Sequence, residues 1–181
     1  MKINHSLIGV LILIFISLHF IENRKVVPKK YMNATEIIDN LWVGDHISAS
    51  DRSFIKDNNI KLIINLSKDI RFASINNVEF VRVPIDDDLS LQSDIGMVNY
   101  FGPMYNNIDK ALRENKGVLI HCWAGMQRSA TLCALYIMRK KNKKFSEVKN
   151  IIQDKRPICF TPGVNFKRSL MYFDNQYCFN S

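Results

Sequence analysis

Residues 117–131 read GVLIHCWAGMQRSAT, and the interpretation of this stretch governs the rest of the chain. Val118, Leu119 and Ile120 make a short apolar strand that runs into His121 and Cys122. Gly125 marks a tight loop, and an apolar run of helical length follows from Arg128 and Ser129. The order is therefore strand, thiol, loop, helix start. Backbone amides that curl around one point form an anion nest, and a helix N-terminus adds its positive dipole end. Both favour thiolate over thiol at such a position. The planar fork of Arg128 suits two oxygens of one phosphate, which a lysine ammonium cannot hold in that geometry.

Working outward, residues 61–66 (KLIINL) form a nearly continuous apolar strand, the pattern of a strand covered on both faces. Leu41, Trp42, Val43 and Gly44 read as a strand ending in a turn, and Ser50 or Asp51 can cap a short helix through Phe54 and Ile55. Val78, Phe80 and Val83, with Glu79 and Arg82 between them, make another strand. Over 94–115, Ile95, Val98, Phe101, Tyr105, Ile108 and Leu112 recur every three or four residues, which predicts an amphipathic helix that Pro103 should kink or split. Residues 130–138 are apolar almost all round and predict a buried central helix. Phe145, Val148, Ile151 and Ile152 predict a further helix closed by Lys155-Arg156-Pro157, and Leu170, Met171 and Phe173 a last one. Strands alternating with helices give an α/β fold, with a central, mostly parallel mixed sheet flanked by helices.

The 181 residues suffice for one domain with an appendage. The net charge of +8 favours acidic partners without choosing among phosphoprotein, anionic lipid and nucleic acid. Four widely spaced cysteines (Cys122, Cys133, Cys159, Cys178) argue against a disulfide scaffold and fit a reducing compartment. The histidines never fall at i, i+4, so no metal-hydrolase helix is suggested and no metal or other cofactor is expected.

Residues 1–25 stand apart. Lys2 precedes an apolar run over residues 7–21, and Arg24, Lys25, Lys29 and Lys30 follow. Phe20, Ile21, Glu22 and Asn23 lack the small residues of a signal cleavage site, so an uncleaved hydrophobic anchor is preferred over a cleaved signal or a soluble tail. The run is short of the roughly 20 residues of a full span. If it spans, the heavier Lys/Arg count on its C-terminal side places the remainder in the cytosol. Residues 26–33 read as a polar linker, and 34–181 as the folded unit.

The pattern His121-Cys122-x-x-Gly125-x-x-Arg128-Ser129 resembles the signature loop of the cysteine-dependent protein phosphatases, and the fuller HCWAGMQRSAT is most similar to the dual-specificity branch. The segment Ile38-Asp39-Asn40-Leu41-Trp42-Val43-Gly44-Asp45 also resembles the opening of those domains. The resemblance implies the cysteine-phosphatase fold. It implies a two-step hydrolysis in which Cys122 takes up the phosphoryl group while Arg128 and the loop amides of Trp123, Ala124, Gly125, Met126 and Gln127 hold its oxygens. Ser129 would donate to the departing sulfur and His121 would act as a positioning residue. Expelling a serine or tyrosine oxygen also needs a proton donor. Asp86, Asp87 and Asp88 follow the strand ending at Val83-Pro84, and the residues alone do not separate them. The resemblance does, because the family's acid lies three residues after a Pro-like position, which falls on Asp87.

Phosphorylated proteins carrying phosphotyrosine, phosphoserine or phosphothreonine are the expected substrates. Inositol-lipid phosphatases of the superfamily carry lysines inside this loop, whereas Trp123, Ala124, Met126 and Gln127 are uncharged. RNA 5′-phosphatase activity is disfavoured but not excluded by the basic charge, and a silent phosphate-binding module is the remaining alternative. The connection over 89–93 looks longer than the family's usual one, and Pro162-Gly163-Val164-Asn165-Phe166 only loosely matches its Pro-Asn-x-x-Phe element.

Overall fold

A computed structural model of the chain describes residues 33–177. The expected anchor at residues 7–21, the flanking basic residues and Cys178 lie outside these. Among the described residues no helix is long and apolar enough to cross a membrane.

Among the described residues five strands form one sheet: β1 (Ala34–Ile38), β2 (Leu41–Gly44), β3 (Ile60–Asn65), β4 (Glu79–Arg82) and β5 (Gly117–His121), in the spatial order β1-β2-β5-β3-β4. Only β1 runs antiparallel to its neighbour, so the sheet is mixed and mostly parallel as expected. The strand β1 is not among those expected from the sequence. A tight turn through Asn40, at φ 61°, joins it to β2, and asparagine tolerates that left-handed backbone better than most residues.

The helices are α1 (Arg52–Asp57), α2 (Leu91–Arg113), α3 (Arg128–Lys141), α4 (Phe145–Lys155) and α5 (Lys167–Tyr177). Asp51 caps α1, its carboxylate accepting from the amides of Ser53 and Phe54. The helix α2 starts three residues earlier than its periodicity suggested, because the Ser90 hydroxyl caps it by accepting from the Ser93 amide. The long connection expected over 89–93 is thus mostly its first turn. Pro103 does not split α2, which continues through it as one helix. A proline removes one hydrogen bond there, and the apolar face formed by Met97, Phe101, Met104 and Ile108 is buried on both sides of it. Tertiary packing outweighs that local loss.

Alternation along the central strands divides the core. Leu62, Ile64, Val118 and Ile120 face the cluster built by α2 to α5, whereas Ile63 and Leu119 face a smaller cluster with Phe54 and Ile55 of α1. This two-sided cover explains why β3 and β5 are apolar without interruption. Residues Ser129 to Met138 of α3 are all buried, so the helix leaving the loop is the central one.

Candidate active site

Cys122 follows the last residue of β5, at the end of the sheet where its parallel neighbours β2 and β3 also finish. Ligand sites in open α/β sheets lie at this end, outside the carboxyl ends of the strands. The side chain is 2% exposed, and its Sγ lies 3.3 Å from the Ser129 Oγ in the first turn of α3. The thiol therefore sits at the floor of the loop with a hydroxyl beside it.

The walls of the loop are held from outside. The Trp123 carbonyl accepts from the His46 amide at 3.2 Å, and the Met126 carbonyl from the Phe160 amide at 3.0 Å. Buried Arg156 donates from Nε to the Gly125 carbonyl at 3.0 Å, from Nη2 to the Ala124 carbonyl at 3.4 Å and from Nη1 to Thr35 Oγ1 at 3.1 Å. Four successive carbonyls are thus turned outward, which turns the intervening amides toward the centre. Among the described residues none of the amides of 123–127 bonds to a backbone oxygen. Gly125, at φ +67°, lets this happen, and a side chain there would also meet the Gly44 carbonyl at 2.6 Å. The loop and the N-terminus of α3 together make a cradle suited to an oxyanion.

Arg128 closes the cradle. Its Nη1 donates to the carbonyls of Leu66 and Ile85, both at 3.2 Å, which anchors the guanidinium between the end of β3 and the acidic loop. Its Nε lies 3.5 Å from Asp87 Oδ2, an ion-pair separation without hydrogen-bond geometry. The three aspartates, which the residues alone left equivalent and of which the resemblance implied Asp87, occupy distinct surroundings. Asp86 pairs outward with Lys68. Asp88 Oδ1 accepts from the Ser93 hydroxyl at 2.7 Å and the Ser90 amide at 3.1 Å, and these bonds, Ser93 first, hold its carboxyl down to about 2. Asp87 alone turns to Arg128.

His121 is 1% exposed, and burial lowers its pKa to about 4, partly offset by the adjacent Cys122 backbone. It is therefore neutral at physiological pH and lies beneath the loop, with Nδ1 lacking a partner among the described residues. Trp123 is 63% exposed and stacks on His46 at 4.5 Å, so it flanks the mouth of the cradle. Cys133 is buried in the core, which pushes its thiol up, and burial pushes Cys159 up to about 12. Among the described residues no three His, Cys, Asp or Glu side chains come together as a metal site.

Several residues of this arrangement escaped the sequence reading. Arg156 reads there only as a helix end, Asn165 only as part of a departure from the family pattern, and His46 and the Gln127 side chain carry no signal. Their roles depend on partners 31 to 121 residues away in sequence.

A thiol on the floor of an amide-lined cradle, closed by an arginine at the carboxyl end of a parallel sheet, is the architecture of the cysteine-dependent phosphatases. The dual specificity phosphatase catalytic domain family matches residues 41–176, and the chain belongs to it. Human dual specificity protein phosphatase 14 is 32% identical over 141 residues, covering 78% of this chain and 69% of that protein. The putative tyrosine-protein phosphatase AMV078 of Amsacta moorei entomopoxvirus is 32% identical over 151 residues, covering 80% and 88%. Among solved structures, human DUSP28 superposes with a TM-score of 0.72 at 20% identity over 80% of this chain and 94% of that one, a likeness of fold. The Cydia pomonella PTP-2 phosphatase gives 0.62 at 27% identity over 76% and 88%. The chain is a phosphoric monoester hydrolase of the protein phosphatase class.

Proposed function

We propose that the chain hydrolyses phosphotyrosine and phosphoserine or phosphothreonine in proteins through a phosphocysteine on Cys122. In the first step the Cys122 sulfur attacks phosphorus in line while the amides of 123–127 and Arg128 hold the other oxygens. The P–O bond breaks as Asp87 gives its proton to the leaving oxygen. In the second step Asp87 takes a proton from water as that water attacks phosphorus, the S–P bond breaks, and the Ser129 hydroxyl donates to the departing sulfur. His121 acts from beneath as a neutral positioning residue, since burial keeps it from carrying a proton at neutral pH.

The observation that carries this reading is the convergence of Cys122, Ser129, Arg128 and Asp87 around one outward-pinned loop. A cavity of about 570 Å³, lined by Leu89, Asp94, Pro162, Val164, Asn165 and Arg168, adjoins the Asn165 side chain that bonds Asp87. The uncharged loop side chains speak against inositol lipids as the main substrate. The test is turnover of p-nitrophenyl phosphate without added metal. Wild-type protein is expected to be active and Cys122→Ser inactive; an inactive wild type would favour the binding-module reading. The catalytic unit is assigned to residues 34–181, behind the linker 26–33, with residues 7–21 as a membrane-associating segment.

A further inference from the structure

The loop before α5 is tied to both halves of the active site. Gln127, 6% exposed, donates from Nε2 to the carbonyls of Thr161 at 3.0 Å and Gly163 at 2.7 Å, and its Oε1 accepts from the Asn165 amide at 3.2 Å. These bonds fix residues 161–165 to the phosphate loop. From that fixed point the Asn165 side chain donates from Nδ2 to Asp87 Oδ1 at 2.7 Å. Against the ionised carboxylate, which only accepts, the reverse orientation of the amide would set two acceptors against each other. Asp87 is thereby held from two sides, by Asn165 at Oδ1 and by Arg128 near Oδ2.

We infer that Asn165 is a positioning residue for Asp87, anchored by Gln127, and that it selects Oδ2 as the oxygen that carries the catalytic proton. In the observed orientation the amide donates, so it occupies Oδ1 as an acceptor. The hydrogen of a protonated Asp87 then resides on Oδ2, on the side of Arg128 where the phosphate is held. The proton passes from Oδ2 to the leaving oxygen as the P–O bond breaks and the S–P bond forms. It returns to Oδ2 from water as the S–P bond breaks. The relay Gln127, Asn165, Asp87 also makes the acid loop and the phosphate loop one unit, so a displaced residue 165 misplaces the acid without touching the thiol.

This rests on the assignment of Asp87 as the acid, and the test separates the two. A general acid matters most for a poor leaving group, because a good one departs without a proton. Asn165→Ala and the similarly sized Asn165→Leu should slow phenyl phosphate about tenfold more than p-nitrophenyl phosphate, in kcat and without a parallel rise in KM. Asp87→Ala should discriminate in the same sense and more strongly, and adding Asn165→Ala to it should cause no further discrimination. Melting temperatures establish that each variant is folded. Equal slowing of both substrates by the Asn165 variants, with Asp87→Ala still discriminating, would overturn the positioning role. An Asp87→Ala that does not discriminate would overturn the acid assignment and this inference with it.

Discussion

Three consecutive aspartates of identical chemistry occupy three environments. Asp86 is engaged by Lys68, Asp88 is kept ionised by Ser93 and Ser90, and Asp87 faces the arginine. A general acid must reach the phosphate, whereas Asp88 is tied to Ser90 and Ser93 at the start of α2 and Asp86 pairs outward with Lys68. We therefore expect Asp87→Ala to lower kcat on phosphotyrosine peptide by about 100-fold or more, the usual scale of general acid catalysis. Asp88→Ala should instead lower the melting temperature through the start of α2, and Asp86→Ala should change little. Steady-state kinetics of the three purified variants on one peptide checks this, and a dominant effect at Asp88 would show the wrong carboxylate to have been assigned.

At the scale of elements, the phosphate loop has its shape because other elements hold its carbonyls. Arg156, at the end of α4, holds two of those four carbonyls, its guanidinium spanning Ala124, Gly125 and Thr35 of β1 at once. Truncation to Ala would remove the donor of the part-buried Ala124 carbonyl and leave the buried Gly125 carbonyl only the weak Cys159 thiol, a loss of about 1 to 3 kcal/mol. Arg156→Ala should thus lose that much in urea unfolding, and much of its kcat with it. Arg156→Lys should recover only part, since one ammonium cannot span the same acceptors. A fully active Arg156→Ala would mean that the loop holds its form unaided. The strand-loop-helix order at this site was legible locally because 117–131 switches period within one stretch. The brace was not, because a basic residue before a proline reads as an exposed helix end unless its distant partners are known.

For the whole molecule, burying His121 couples stability to pH. Its pKa falls to about 4 in the folded chain, whereas an unfolded chain takes up that proton near the ordinary histidine value of about 6.5. Between these values the unfolded state binds more protons, so stability falls as pH is lowered from about 6.5 to about 4, by about 3 kcal/mol in total. Asp109 acts in a different window. Held low first by the Lys140 hydrogen bond, its carboxylate adds stability that is lost only as pH drops below the usual aspartate range. Urea unfolding of wild type and His121→Gln at pH 7 and pH 4.5 should show a smaller pH dependence in the variant. Equal dependence would place the effect elsewhere.

The sequence by itself determined the strand-loop-helix centred on Cys122, the burial of β3 and β5 on both faces, the central helix α3 and the candidate pair Cys122 and Arg128. All of these follow from hydrophobic period and from groups only a few residues apart. The tertiary structure alone decided that Pro103 lies within one helix, which of three aspartates meets Arg128, and that Arg156, Gln127 and Asn165 hold the loops. Each of those outcomes is a balance between a local preference and contacts with residues distant in the chain, and such contacts exist only once the sheet has brought its ends together.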